Sequence, residues 1–476
     1  MGAFALSLLR KQLAYRFDRD ASKLKRYLGE SFESSPEKPD LQFESLSNVM
    51  QGFEVAYTKF REKFDVKVRD SAKAKPEKIK ADANTEDWQD PKLSTDMGVV
   101  EEDLELNGED EQSALPPAHI FRAYDIRGVV GEDLSIAHAR HIGLAIGSKA
   151  QSAGNDTVVV ARDGRLSSEE LADSLIEGLL ASGSDVVDIG LVPTPVLYFA
   201  VEHLQVGSGV MVTGSHNSPD YNGFKMVVGG EALVDEQIAE LYEQINSQSF
   251  SQGAGSLTTS DLVDTYIDQI ADDVVFASPI KIVLDCGNGV AGTVAPMLFA
   301  SMGSEVIPLF ADIDGSFPNH LPDPSVPSNL DALVREVTEQ SADIGLAFDG
   351  DADRVVAVTA AGDIVEADQL LMLFAKDVLT RNPGADVVFD QKCSRSLSHL
   401  IANFGGRPIM WKSGHSRIKQ KMLETEALLG GEYSGHFFFK ERWFGFDDGL
   451  YSGARLIEML TLEGVSLEEA VAQLPV

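Results

Sequence analysis

Three segments of this chain repeat one plan. TVVVARDGRLSSEELADSLIEGLLASGSDVVDIG, KIVLDCGNGVAGTVAPMLFASMGSEVIPLF and DVVFDQKCSRSLSHLIANFGGRPIMW each begin with a short apolar run rich in Val, Ile or Phe. A polar loop follows, then a stretch of helical period, then a second apolar run. Short β-branched runs alternating with longer segments of period 3.6 specify strand-helix-strand units, whose strands assemble into sheets with helices on their faces. The repeats lie roughly a hundred residues apart, too far for a solenoid but natural for related domains in tandem. A length of 476 residues also exceeds what one hydrophobic core usually serves. The expectation is therefore three tandem α/β domains with mixed sheets, over 116–261, 262–363 and 364–476. In the first repeat Ser167 or Ser168 is expected to cap the helix, with Glu170 close behind.

Before Pro116 the chain has a different character. Segments such as SSPEKPD, KAKPEKIKADANTEDWQD and EEDLELNGEDEQ carry too few apolar residues for a packed core, so residues 1–115 read as a largely disordered tether of unknown partner. VMQGFEVAYTKFREKF within it could form an amphipathic helix or remain solvated. A formal net charge of −35 repels nucleic acid and anionic membranes, which recruit proteins through Lys and Arg. An anionic small substrate would require basic side chains gathered locally against that field. Cys286 and Cys393 show no metal spacing, and no apolar stretch approaches the roughly 18 to 20 residues of a membrane span. The opening MGAFALSLLRKQ lacks the basic start and small-residue cleavage site of a signal peptide. A cytoplasmic setting is expected.

In such sheets ligands gather at the carboxyl ends of strands, and three loops there carry candidate chemistry. In SGVMVTGSHNSPDYNGFKM, an apolar strand delivers Ser215 into a turn rich in Gly, Ser, Asn and Pro, where its hydroxyl can be a nucleophile. Thr213 and Ser215 could equally satisfy turn backbone groups, but His216 and Lys225 supply candidates to accept a proton or neutralise phosphate. In DIGLAFDGDADRVVAV, Asp349, Asp351 and Asp353 alternate between apolar strands. Alternate positions on extended backbone point the same way, so three carboxylates converge on a hard, oxygen-rich site suited to Mg²⁺. A calcium EF-hand would need Gly where Arg354 stands and flanking helices. Arg354 itself places a fork of donors beside the acids, to hold a phosphoryl group or to pair with one of them. In GGEYSGHFFF, Glu432, Ser434 and His436 alternate before an aromatic run, offering donors and acceptors to sugar hydroxyls or a hydrogen-bonded turn.

Taken with IFRAYDIRG and KSGHS, the motifs VTGSHNSPDYNGFK, FDGDADR and GEYSGHFF stand in an order and approximate spacing that resembles the α-D-phosphohexomutase superfamily, in particular its bacterial phosphomannomutase/phosphoglucomutase branch. The resemblance runs from about Ile120 to the end of the chain. It implies interconversion of hexose 1- and 6-phosphates, of mannose or glucose, through a phosphoserine enzyme and a 1,6-bisphosphate, with Mg²⁺ as cofactor and the bisphosphate as activator. Ser215 would carry the phosphoryl group and, with Asp349, Asp351 and Asp353, hold the metal. Arg127, Lys225, Arg354 and His436 would serve catalysis, and Tyr124, Lys392, His415, Glu432, Ser434 and His436 would contact substrate. Arg127, Lys225, Arg354 and Lys392 would then make the cleft basic inside an acidic protein.

Two departures qualify the resemblance. Tyr433 and Ser218 stand where relatives often carry Met and Pro. The family also has a fourth, smaller domain whose Arg/Ser-rich loop grips the non-reacting phosphate, and the sequence reaches Val476 before such a segment. It is therefore expected to be a fragment that binds substrate weakly. A monomer handling small sugar phosphates is expected; phosphoglucosamine mutase, a hydrolase using an aspartate of DGDADR, and a non-catalytic binding protein are the alternatives.

Overall fold

The computed structural model describes residues 115–475. The expected tether up to residue 114, and the candidate helix in VMQGFEVAYTKFREKF, lie outside the described residues. Among the described residues, three sheets follow one another along the chain. The first contains β1 (Ile126–Val129), β2 (Thr157–Arg162), β3 (Asp185–Leu191), β4 (Gly209–Val212), β5 (Tyr221–Val228), β6 (Glu231–Ala232) and β7 (Leu257–Thr259), in the order β1-β5-β4-β2-β3-β7 with β6 on β5. It is mixed: β2 runs parallel to β3 and β4, while β5 is antiparallel to β1 and β4.

The second sheet contains β8 (Lys281–Asp285), β9 (Glu305–Leu309), β10 (Ile344–Phe348), β11 (Val355–Thr359) and β12 (Ile364–Val365), ordered β12-β11-β10-β8-β9. Because β12 pairs antiparallel with β11, this sheet extends two residues beyond the expected boundary at 363. The third contains β13 (Asp386–Asp390), β14 (Arg407–Trp411), β15 (Leu429–Gly431) and β16 (Phe437–Phe439), ordered β14-β13-β15-β16. Helices connect the parallel strands, because a parallel pair cannot be joined by a tight hairpin and needs a crossover.

The core is not divided as the repeats suggest. One apolar cluster includes Val159 and Phe199 from the first repeat, Ile282 and Phe299 from the second, and Phe374, Phe437 and Leu450 from the third. The helix Gly449–Glu463 follows the third sheet yet packs against β10 and β11 of the second as well as β16. Trp443 stacks on Tyr451 with ring centroids 4.4 Å apart and lies 6.3 Å from the parallel ring of Phe199. Burying each such ring stabilises by about 2 to 3 kcal/mol, so prying the repeats apart is costly.

Two local expectations fail for identifiable reasons. The helix Ser168–Ser182 has no side-chain cap. The Ser168 hydroxyl donates instead to Asp163 at 2.5 Å, and Ser167 accepts from Asn222. The acidic loop between β10 and β11 is likewise a turn rather than an extended run. The Ala352 amide donates to the Asp349 carbonyl at 3.1 Å, and Ala352 adopts φ +62°.

Candidate active site

Strand β4 ends at Val212, and the next residues reverse direction into β5, with Ser215 in the left-handed region at φ +47°. That conformation is uncommon outside glycine and survives only where surrounding contacts over-determine it. The contacts are present. The Ser215 amide donates to Thr213 Oγ1 at 2.8 Å, and Thr213 Oγ1 donates to Asp163 Oδ2 at 2.7 Å. Arg165, buried behind the loop, donates to the carbonyls of Ser215, Asn217, Ser218 and Tyr221 at 2.6 to 2.9 Å.

The turn after β10 meets this loop from the second repeat. Ser215 Oγ donates to Asp349 Oδ2 at 2.8 Å and lies 3.3 Å from His216 Nδ1. Asp349, Asp351 and Asp353 are wholly buried, with carboxylate oxygens within 4.8 Å of one another. The trio converges as expected, though through a turn and not through the alternation of a pleat. Lys225 projects from β5 into the trio, 2.6 Å from Asp351 Oδ2 and in contact with Asp353 Oδ2. Asp351 is further pinned by Thr194, whose amide donates to its carbonyl at 2.9 Å and whose hydroxyl donates to Oδ2 at 2.5 Å.

From the third repeat, His436 Nε2 reaches Asp353 Oδ1 at 3.2 Å, and Nδ1 approaches Ser434 Oγ at 2.9 Å and Glu432 Oε2 at 3.3 Å. Arg354 bridges the two repeats: its backbone pairs with His436, and its Nε lies 3.3 Å from His436 Nε2 and 3.7 Å from Asp349 Oδ2. The His415 ring stacks on His436 at 5.4 Å and meets the edge of Tyr124 at 5.2 Å. Glu432 Oε1 accepts from the Gly414 amide at 2.5 Å, fixing the start of the helix His415–Thr425 against β15. Arg127, on β1, pairs with Asp125 at 2.6 Å and donates to Asn217 Oδ1 at 2.6 Å and the Gly214 carbonyl at 3.3 Å.

The residues expected at the site are therefore brought together, with one exception. Lys392 is exposed in the turn after β13 and makes no hydrogen bond or ion pair among the described residues. Four residues that sequence reasoning passed over also belong to the assembly. Asp163 and Arg165 hold the serine loop, Thr194 holds Asp351, and Asp447 pairs with Lys419 at 2.7 Å and His415 at 3.2 Å. The charged pair in ARDGR, directly after a strand, was the available signal for the first two.

The charges are strongly coupled. Burial, together with the Asp353 and Asp351 charges, holds the Asp349 carboxyl well above its ordinary range. Burial also acts to raise Asp353, but Lys225 and His436 outweigh it and hold that carboxyl well below. Burial opposes charge on Lys225 and His436 too, yet the aspartates raise both, His436 to about 9. By contrast His216 is driven far down by burial and by Arg354 and Arg127, leaving a neutral ring beside Ser215.

The acids fit a hard divalent cation. Every donor is a carboxylate oxygen, and Asp351 Oδ1 is buried without a hydrogen-bond partner. Buried charge of this kind is stable only when paired; Lys225, His436 and Arg354 each neutralise part of it and leave Asp351 Oδ1 without a partner. Oxygen ligands in a compact set are what Mg²⁺ takes.

Comparison with known proteins agrees with this geometry. The family descriptions "Phosphoglucomutase/phosphomannomutase, alpha/beta/alpha domain" I, II and III match residues 118–252, 264–362 and 366–476. A phosphomannomutase/phosphoglucomutase of Pseudomonas aeruginosa is 57% identical over 359 residues, covering 75% of this chain and 78% of that one. A phosphoglucomutase of Neisseria gonorrhoeae is 52% identical over 344 residues, 72% of this chain and 75% of that one. The crystal structure of a phosphoglucomutase/phosphomannomutase family protein from Burkholderia thailandensis superimposes with TM-score 0.74 at 50% identity, covering 76% of this chain and 80% of that one. With the three domain descriptions matched in order across the sheets that build this site, the chain belongs to the phosphoglucomutase/phosphomannomutase family.

Proposed function

We propose that this chain interconverts the 1- and 6-phosphates of mannose or glucose, with Ser215 as the phosphoryl carrier. The observation that carries the reading is the 2.8 Å contact between Ser215 Oγ and Asp349 Oδ2, which joins a strained serine turn of one domain to the acidic turn of another. We assign the domains to about 116–261, 262–365 and 366–476.

In the forward step the bond from phosphorus to Ser215 Oγ breaks as a bond to the sugar hydroxyl oxygen forms; the hydroxyl releases its proton and Oγ takes one up. The return step runs the same exchange from the other end of the bisphosphate. Asp349, Asp351 and Asp353 with Ser215 would hold Mg²⁺, which when bound would neutralise charge on the phosphoryl oxygens. Arg354 and Arg127 offer fixed guanidinium donors on either side of the serine turn. Lys225 and His436, both held protonated by the aspartates, offer positive charge to the phosphoryl oxygens. The neutral His216 ring, 3.3 Å from Ser215 Oγ, suits acceptance of the serine proton. Glu432, Ser434, His415 and Tyr124 line the side that would hold sugar hydroxyls, and Lys392, exposed in the turn after β13, is free to reach a substrate phosphate. The same reading takes a hexose 1,6-bisphosphate as primer and a cytoplasmic monomer as the working form, with neither nucleic acid nor membrane as partner.

Coupled assays with mannose 1-phosphate, glucose 1-phosphate and glucosamine 1-phosphate, each primed with its bisphosphate, test the proposal. Turnover of the first or second that disappears in Ser215→Ala is expected. Preference for glucosamine 1-phosphate would move the assignment to phosphoglucosamine mutase, and release of free phosphate independent of Ser215 would replace it with hydrolysis.

A further inference from the structure

Arg165 has no part in the reading above, yet its surroundings are unusual for a surface-loop arginine. It is 3% exposed, and both terminal nitrogens are spent on main-chain carbonyls: Nη1 on Ser218 at 2.6 Å and Tyr221 at 2.9 Å, Nη2 on Ser215 at 2.6 Å and Asn217 at 2.7 Å. Its Nε donates to Asp163 Oδ2 at 3.2 Å, and Asp163 also accepts from Thr213 Oγ1 and the Gly214 amide. Gly214 is confined by the same group, since a Cβ there would lie 2.5 Å from the guanidinium carbon. The guanidinium lies over the ring of Phe317, 5.1 Å from its centroid, and Phe317 belongs to a loop of the second domain. That loop closes tightly: a Cβ on Gly315 would lie 2.6 Å from the Leu166 amide nitrogen and 2.7 Å from the Gly164 carbonyl.

A trans peptide is planar, with its N–H pointing opposite to its carbonyl. Drawing the carbonyls of Ser215 and Asn217 toward Arg165 therefore turns the amides of His216 and Ser218 away from it. Neither amide has a partner among the described residues. Successive unpaired amides in a turn containing a left-handed residue form a concavity that receives anions.

We propose that Arg165 is a positioning residue for phosphoryl transfer: it sets the serine turn so that the amides of His216 and Ser218 receive the phosphoryl group on Ser215. Phe317, from the domain that carries the acidic trio, holds the guanidinium in place. Arg165 does not touch substrate. The proposal rests on the phosphoserine reading above, and the experiment separates the two.

Arg165→Lys keeps the charge but cannot reach four carbonyls, and Arg165→Ala leaves a cavity that a small guanidinium ion can enter. Both are compared with the parent chain for kcat, KM, melting temperature and rescue by ethylguanidinium at concentrations too low to denature. Misplacement of a reacting group by about 1 Å costs about a hundredfold in rate. A kcat lower by about that factor in Arg165→Lys is expected, with KM within about threefold because no substrate contact is lost. Arg165→Ala should recover part of its kcat in ethylguanidinium while the parent does not respond. Unchanged kcat in Arg165→Lys, or loss that follows the melting temperature and is not rescued in a folded Arg165→Ala, overturns the proposal. If Arg165→Ala does not fold, Arg165→Lys decides alone. Failure of Ser215 in the parent chain to take up phosphate from hexose 1,6-bisphosphate would instead overturn the phosphoserine reading.

Discussion

Gly350 separates the first two carboxylates of the acidic turn, and replacing it with Ala should damage transfer far more than folding. A Cβ at this position would lie 2.4 Å from the Ser215 carbonyl oxygen, whereas ordinary contact begins at 3.4 Å. The acidic turn has little room to retreat. Its Gly350 carbonyl accepts from the Val290 amide at 3.2 Å and lies where a Cβ on Gly289 would come within 2.6 Å of it. The serine turn is equally held, because the same Ser215 carbonyl accepts from Arg165. The two turns must therefore separate by about 1 Å, which costs about a hundredfold in kcat, or about 2.7 kcal/mol of transition-state stabilisation. Overpacking costs stability of about 1 to 3 kcal/mol, well short of what unfolds a core shared by three domains. The coupled mutase assay, run with a denaturant melt, reads both quantities. A Gly350→Ala variant with parental kcat would refute the account of how these turns meet. So would a loss confined to KM.

Lys225→Met leaves Asp351 and Asp353 buried without their ammonium, a change expected to cost about 3 to 5 kcal/mol in EDTA. Millimolar Mg²⁺ should restore much of it, and melting that is equally Mg²⁺-dependent in variant and parent would count against a shared carboxylate site. Asp448 accepts from the Tyr451 amide, the Tyr266 hydroxyl and the Trp443 indole, yet burial, with help from Asp447, pushes its carboxyl from 3.8 up to about 7. Folded protein thus binds this proton more tightly than unfolded chain. The contribution is fully present below pH 3.8 and is lost as pH rises toward 7. Relative to Asp448→Asn, the parent should lose stability across that interval in denaturant melts; a difference constant with pH would contradict the assignment.

Much of this was legible in local sequence. Apolar strands punctuated by Asp349, Asp351 and Asp353 pointed to a candidate cation site over a solvated acidic turn, because three acids held between buried runs repel one another unless a cation is shared. Ser215 stood out through the turn chemistry around it. What escaped was long-range. Arg165 lies 50 residues from the carbonyl of Ser215, and Thr194 lies 157 from Asp351, so neither carried a local mark of its role. The acidic loop was read as pleated because alternation implies a strand, but Ala352 in the left-handed region turns it. Ser168 looked like a cap, yet Asp163 took its hydroxyl. The shared core was hidden for the same reason: nothing in GLYSGARLIEML says that its helix will cover the second sheet as well as the third.

The most direct test is to expose the chain to hexose 1,6-bisphosphate labelled in its phosphoryl groups, map the label by peptide mass spectrometry, and chase with unlabelled hexose 1-phosphate. The account predicts label on the peptide containing Ser215, its transfer to sugar phosphate during the chase, and no labelling of Ser215→Ala. Label on an aspartate of the 349–353 turn, or label on Ser215 that the chase does not remove, would contradict it.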